Sequence, residues 1–164
     1  MESLIAIRPA RSEDVAGMVR LSAAKRAAYA AAQPVFWRIA PDADEKQRGW
    51  FGHLLTREKV RILVATSGDE LLGFVIAQLV PNPPVYDPGG PSCSIDDFAV
   101  EDADAWPTVG RQLLDAAMNW AREQECAQVV VVCGHHDSPK REMLQDAGFP
   151  IASEWRARPL KELS

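Results

Sequence analysis

Two short stretches hold the side chains best suited to chemistry in this sequence of 164 residues. Asp96 and Asp97 stand inside Ile95-Asp96-Asp97-Phe98-Ala99-Val100, and His135, His136 and Asp137 follow soon after Cys133 at the end of an apolar run. A carboxylate can take a proton from an amine or a water, but side chains alternate across a strand. If residues 93–100 form a strand, Asp96, Phe98 and Val100 share one face and Ile95, Asp97 and Ala99 the other. The two acids then cannot both line one cleft. The His135-His136-Asp137 group admits a metal-dependent hydrolase. Adjacent histidines diverge, however, and no second cluster at ligand spacing exists, so no metal is expected. A Cys133 nucleophile with a histidine base is no better supported, because a thiol ending an apolar strand is ordinarily inert.

The composition narrows the classes of function. With 47% hydrophobic and 25% charged residues the chain reads as one ordinary globular domain over residues 1–164. Its apolar runs are too short to cross a bilayer, and Met1-Glu2-Ser3 lacks the basic start of a signal peptide, so a cytoplasmic location is expected. Cys93, Cys126 and Cys133 are odd in number and form no CxxC pair, which argues against a disulfide framework. A net charge of −5 disfavours nucleic acid and anionic membranes and suits a cationic amine.

These residues need elements to position them. Residues 4–9 alternate like a strand, and Ser12-Glu13-Asp14 offers an acidic helix start. An alanine-rich helix follows and ends at Pro34. Asp44 is expected to cap a second helix in which Trp50, Phe51, Leu54 and Leu55 share a face. Residues 60–66 and 71–80, separated by Ser67-Gly68-Asp69, read as a hairpin. The proline- and glycine-rich residues 81–91 form a loop. A strand over 93–100 leads to a helix over 107–124, a strand over 128–133 buried on both faces, and a helix over 140–147 ending at Gly148. Residues 151–158 make the last strand.

This order resembles the GNAT superfamily of N-acetyltransferases over nearly the whole chain. The resemblance rests on three matches: Ile7-Arg8-Pro9-Ala10 followed by Ser12-Glu13-Asp14, then residues 95–100 as the fourth strand, then Met143-Leu144 leading to Ala147-Gly148-Phe149. It implies an α/β fold, a central mixed, twisted β-sheet flanked by α-helices. It also implies acetyl-CoA, or another acyl-CoA, as the donor to a primary amine on a small molecule or a peptide N-terminus, with a homodimer common among members. The roles it implies are Asp96 as the proton acceptor, the Val100 amide facing the thioester, and cofactor contacts at Phe98, Ala99, Val100, Ala105, Trp106, Thr108, Val109, Gly110, Arg111 and Asp137. Phe36, Trp37 and Tyr86 fall on loops the family uses for its acceptor, whereas the helical spacing of Trp50 places it in the core.

The chain departs from the pattern where the family binds pyrophosphate on glycine-rich turns at a helix N-terminus. Only Gly110 matches. Ala105 and Thr108 replace an Arg or Gln and a Gly, and Pro107 lacks a donor. Glu101, Asp102 and Asp104 add charge of the wrong sign, which Arg111 offsets in part. Leu144 stands where many members have a tyrosine acid. The alternative is a non-catalytic acyl-CoA-binding or interaction protein on the same fold.

Overall fold

The computed structural model describes residues 4–162. Its sheet has five strands in the order β1 (Ala6–Pro9), β2 (Val60–Ser67), β3 (Glu70–Val80), β4 (Ser92–Val100) and β5 (Gln128–Val131). The first three junctions are antiparallel and β4 pairs with β5 in parallel, so the sheet is mixed as expected. The β2–β3 hairpin turns at Gly68, whose φ of 57° suits a residue without Cβ. Among the described residues, no helix is long and apolar enough to cross a membrane.

Two apolar layers cover the sheet. On one face α1 (Val15–Ala32) and α2 (Ala43–Leu54) bury Met18, Val19, Leu21, Phe51 and Leu54 against Val64, Phe74 and Ile76. On the other, α3 (Arg111–Glu123) and α4 (Ser138–Asp146) bury Leu113, Leu114, Ala117, Met143 and Leu144 against Val75, Ile95 and Phe98. Phe51 meets Phe74 edge-on at 5.6 Å. Trp50, one residue earlier on α2, is rotated about 100° from that contact. It is therefore 49% exposed and stacks on His53, which corrects its assignment to the core.

The start of α1 is set by charge. Arg8 at the end of β1 grips Asp14 through two hydrogen bonds of 2.7 and 2.9 Å, and Asp14 also accepts the Arg11 amide at 2.7 Å. The single turn Ser12–Asp14 is thereby fixed before the helix proper begins at Val15. The cap position of α2 is Asp42 rather than Asp44, which instead pairs with Arg26 of α1.

Two further expectations fail at the end of the chain. The strand over 128–133 is not buried on both faces: β5 is an edge, and Val130 and Val132 are exposed. Residues 151–158 form no strand and remain exposed after α4 closes at Gly148, whose φ is 86°. Neither the α1–α2 layer nor any strand beyond β4 covers β5 among the described residues.

Asp14 ties β1 to α1, and the Arg8 hydrogen bonds hold its carboxyl below the ordinary value. A depressed carboxylate contributes stability above its unfolded pKa of ~3.9 and loses it as pH falls through the lower folded value. Asp14→Ala should lower stability by about 1–3 kcal/mol in urea titrations at pH 7. Asp14→Asn should remove part of the steep acid limb of the stability curve below pH ~4.

Candidate active site

The β4–β5 ladder stops early. It pairs Ser92 with Gln128 through Ile95 with Val131, and its last bond runs from the Val132 amide to the Ile95 carbonyl (2.9 Å). Beyond it β4 carries an irregularity: Val75 faces Phe98 while Ala77 faces Ile95, so Asp96 and Asp97 together oppose Ile76. This is the arrangement of a β-bulge, which bends a strand and re-aims the residues after it. The alternation expected from sequence is overturned here. Phe98 returns to the core face of Ile95, and Ala99 packs in the α1–α2 layer.

The bulge also separates the acids. Asp96 is exposed, and its carbonyl accepts Lys25 Nζ at 3.5 Å. Asp97 is half-buried, and that burial raises its pKa against the opposing pull of Lys25. Past the bulge, the Glu101 amide bonds the Leu72 carbonyl at 2.8 Å, one step from the Gly73–Val100 pair. Bonded and unbonded pairs alternate in an antiparallel ladder, so the Val100 N–H turns away from β3 and into the gap between β4 and β5.

A cavity of about 370 Å³ opens at that gap. Its walls come from the α1 residues Lys25 and Tyr29, from Ala99, Val100, Glu101 and Trp106, and from Gly134, His135, His136 and Asp137 before α4. The Tyr29 hydroxyl donates to Asp137 Oδ2 at 2.8 Å and accepts the Gly134 amide at 3.2 Å. Burial, then the Asp137 carboxylate, hold the phenol well above its ordinary pKa, so it stays protonated. Trp37 closes the cavity with its ring 5.2 Å from Tyr29, and Phe36 packs edge-on against Trp37. Tyr86 is 71% exposed and contributes nothing to the wall. Asp96 and Asp97 lie beside the cavity rather than in its lining.

The turns expected to cradle phosphate have another use. Residues Trp106–Gly110 form one wide helical turn running into α3, and Trp106, Val109 and Gly110 are buried. A Cβ on Gly110 would lie 2.5 Å from the Trp106 ring, so the glycine makes room for that ring rather than for a ligand. Asp102 Oδ1 takes the Asp104 amide at 3.0 Å, filling the start of the turn with a carboxylate. Arg111 is held by Asp115 at 3.1 Å, while Ala105 and Thr108 flank the turn. Among the described residues, no three His, Cys, Asp or Glu side chains gather as a metal site.

A model of the acetyltransferase (GNAT) family matches residues 24–149. The chain belongs to that family. Among curated proteins no sequence matches. Solved GNAT-fold structures resemble it nearly end to end. A predicted acetyltransferase from Clostridium acetobutylicum, with acetyl-CoA, is 18% identical at a TM-score of 0.74, covering 96% of this chain and 97% of its own. The aminoglycoside N-acetyltransferase AAC(6')-Iy, in complex with CoA, is 14% identical with a TM-score of 0.74 over 97% and 96%. AAC(6')-Ih from Acinetobacter baumannii is 14% identical with a TM-score of 0.72 over 98% and 100%. At such identities the likeness extends to the fold.

Within this GNAT fold the most unexpected residue is Lys140. It is fully buried in the gap, where Nζ donates to the Phe98 carbonyl (3.3 Å) and stands 5.2 and 5.3 Å from the centres of the Phe98 and Trp106 rings. Burial, with Lys25 adding repulsion, lowers its pKa to about 8 against the weaker pull of Cys133, Asp137 and Asp96. A signal was available in sequence, since Lys140, Met143, Leu144 and Ala147 fall on one helical stripe. Tyr29 had none beyond lying one turn after Lys25.

Two outcomes follow for this region. Gly110→Ala should destabilise the fold by about 1–3 kcal/mol through overpacking against Trp106, read as a lower urea midpoint at unchanged slope. For Lys140, the folded pKa of about 8 lies below the unfolded ~10.4. The unfolded state holds more protons between those values, so stability rises with pH from about 8 toward ~10.4. Lys140→Met should flatten that alkaline rise in a series of denaturant titrations.

Proposed function

We propose that this GNAT-family chain transfers an acetyl group from acetyl-CoA, or another acyl-CoA, to a primary amine on a small molecule or a peptide N-terminus. The observation that carries the reading is the gap after Ile95, where the Val100 N–H is turned toward an opening lined by Val100, Glu101 and Asp137. The fit is good at the acyl end of such a donor. It is poor at residues 105–111, where the phosphate turns are packed against Trp106. The donor supplies an activated acyl group on a thiol that leaves readily.

The chain's own residues would do the rest. The Val100 N–H is aimed to hold the thioester oxygen, and a fixed donor of this kind contributes on the order of 3 kcal/mol to an acyl transfer. Glu101 and Asp137 give the cavity a negative wall that favours a protonated amine. That amine has a pKa near ~10 and must lose its proton before attack. Asp96 is proposed as the acceptor, because it is exposed at the bulge, whereas Asp97 is half-buried near Lys25 and Asp137 holds the Tyr29 hydroxyl. A water bridging Asp96 to the amine suffices for the transfer. Trp37, backed by Phe36, forms the apolar side of the acceptor pocket. With Leu144 buried in the core, the departing thiolate collects its proton from solvent.

The packed turn at Gly110 favours one second reading, a protein that binds acyl-CoA or a partner without turnover. Thermal shift tests the binding that both acyl-CoA readings require, since a ligand at ~100 times its Kd adds about 2.7 kcal/mol to the folded state. Release of free thiol from acetyl-CoA in the presence of amines, polyamines, aminoglycosides and short peptides then tests turnover. Binding without release on any acceptor supports the second reading, and no binding at millimolar acetyl-CoA removes both acyl-CoA readings. In an active preparation, Asp96→Asn should lower kcat by about 10²-fold at pH 7 and recover partly at higher pH. Asp97→Asn should change stability more than rate. Full activity of Asp96→Asn at neutral pH would take Asp96 out of the mechanism.

A further inference from the structure

The wall of the cavity contains an amine of its own. Of the chain's lysines, Lys46, Lys59 and Lys161 are exposed and take no part in the lining, and Lys140 is buried outside it. Lys25 alone among them belongs to the lining, where it shares the opening with Val100. It lies one turn before Tyr29 on α1. Its Nζ stands 5.4 Å from the centre of the Tyr29 ring and donates to the Asp96 carbonyl at 3.5 Å.

These contacts hold Nζ loosely. Lys25 forms no ion pair among the described residues, although the half-buried Asp97 feels its charge. A hydrogen bond of 3.5 Å is at the long limit of such bonds, and a cation–π contact at a partly exposed site is weak. The four-carbon stem of a lysine is flexible, so Nζ can swing from the Asp96 side of the cavity toward Val100 with α1 in place. A lysine locked to a carboxylate would lack that freedom.

The acyl transfer proposed above asks for a primary amine, a carboxylate to take its proton and a thioester held at the Val100 N–H. Lys25 meets the first demand from within the chain and stands beside the second, Asp96. We propose that, with no acceptor bound, the chain moves the acyl group of acetyl-CoA onto Lys25 Nζ of the same molecule, so that Lys25 is a self-modification site in the wall of the acceptor pocket. This inference rests on the acyl-CoA reading. A proton first leaves Nζ for Asp96 through a water, as any alkyl ammonium requires. The Nζ lone pair then attacks the thioester carbonyl carbon, the C–N bond of an amide forms, the C–S bond breaks, and the released thiolate takes a proton from solvent. Amine and thioester in one cavity react as a single molecule, whereas the exposed lysines meet the thioester only by collision. The amide product is neutral. The wall thereby loses the charge that repels Lys140 and pulls on Asp97, while Glu101 and Asp137 remain, so the modified pocket is more negative.

The full chain incubated with saturating acetyl-CoA and no added amine should gain one acetyl group by intact mass. Peptide mapping should place it on Lys25 at least ~10-fold faster than on Lys46, Lys59 or Lys161. The first-order rate should not change with protein concentration. Lys25→Arg should remove the mark, and Asp96→Asn should slow it by about 10²-fold at pH 7 and by less at higher pH. CoA without an acyl group should shield Lys25, but not the exposed lysines, from an acetyl N-hydroxysuccinimide ester, a readout that needs no turnover. A mark no faster on Lys25 than on the exposed lysines overturns the proposal, as does a rate that rises with protein concentration or a failure of CoA to shield Lys25. Acetylation of added amines with Lys25 unmarked overturns it and leaves the acyl-CoA reading standing. Absence of acetyl-CoA binding in the thermal shift removes both.

Discussion

One additional residue in β4 governs the centre of this protein. Opposite Ile76 the strand spends two residues, Asp96 and Asp97, where β3 spends one, and the ladder to β5 ends at the Ile95 carbonyl. A bulge strengthens the local twist and bends the strand that carries it. β4 therefore leaves its parallel partner while keeping its antiparallel one, and the gap between β4 and β5 follows from that divergence. The direction of the Val100 amide, the return of Phe98 to the core and the separation of two adjacent carboxylates all depend on the same shift of register.

The gap is filled from below by the protein's own groups. Phe98 and Trp106 meet edge-on at 4.9 Å, and the Lys140 ammonium stands over both rings while bonding the Phe98 carbonyl. Cation–π attraction and one hydrogen bond offset part of the desolvation penalty. The remainder appears as the lowered pKa of Lys140. The same packing explains the unusual turn before α3. Gly110 lacks a side chain because the Trp106 ring occupies that space, so a glycine that matches an anion-binding pattern serves the core instead. The upper wall of the cavity is organised differently, by the Tyr29–Asp137 bond that ties α1 to the loop before α4. A helix on one face of the sheet thus positions a carboxylate contributed from the far side of the gap.

Most elements were legible because their signals are local. The hairpin needed only Ser67-Gly68-Asp69 between two apolar runs, α4 ended at a glycine with positive φ, and the proline-rich loop after β3 excluded both ladder and helix. Errors arose where a neighbour decides. Trp50 fits the apolar stripe of α2 by spacing, yet the helix turns Phe51 and Leu54 to the sheet and leaves Trp50 outside. The valine run over 129–132 reads as a strand buried on both faces, but burial depends on a covering layer, and no residue of it joins the α1–α2 core. Residues 151–158 have the alternation of a strand; a strand exists only with a partner to bond.

The sequence by itself determined the order of helices and strands as far as Gly148, which follows from periodicity, capping and turn chemistry along the chain, and its motifs carried the resemblance to the family and marked the stretches that hold the reactive side chains. The tertiary structure alone decided which of those side chains meet. Parity in a strand changes with a single unpaired residue, and that residue is defined by the register of β3 against β4, not by anything in residues 93–100. Lys140 entered the gap for a related reason: a helical stripe shows that a lysine faces inward, but only packing supplies the two rings and the carbonyl that allow it to stay there.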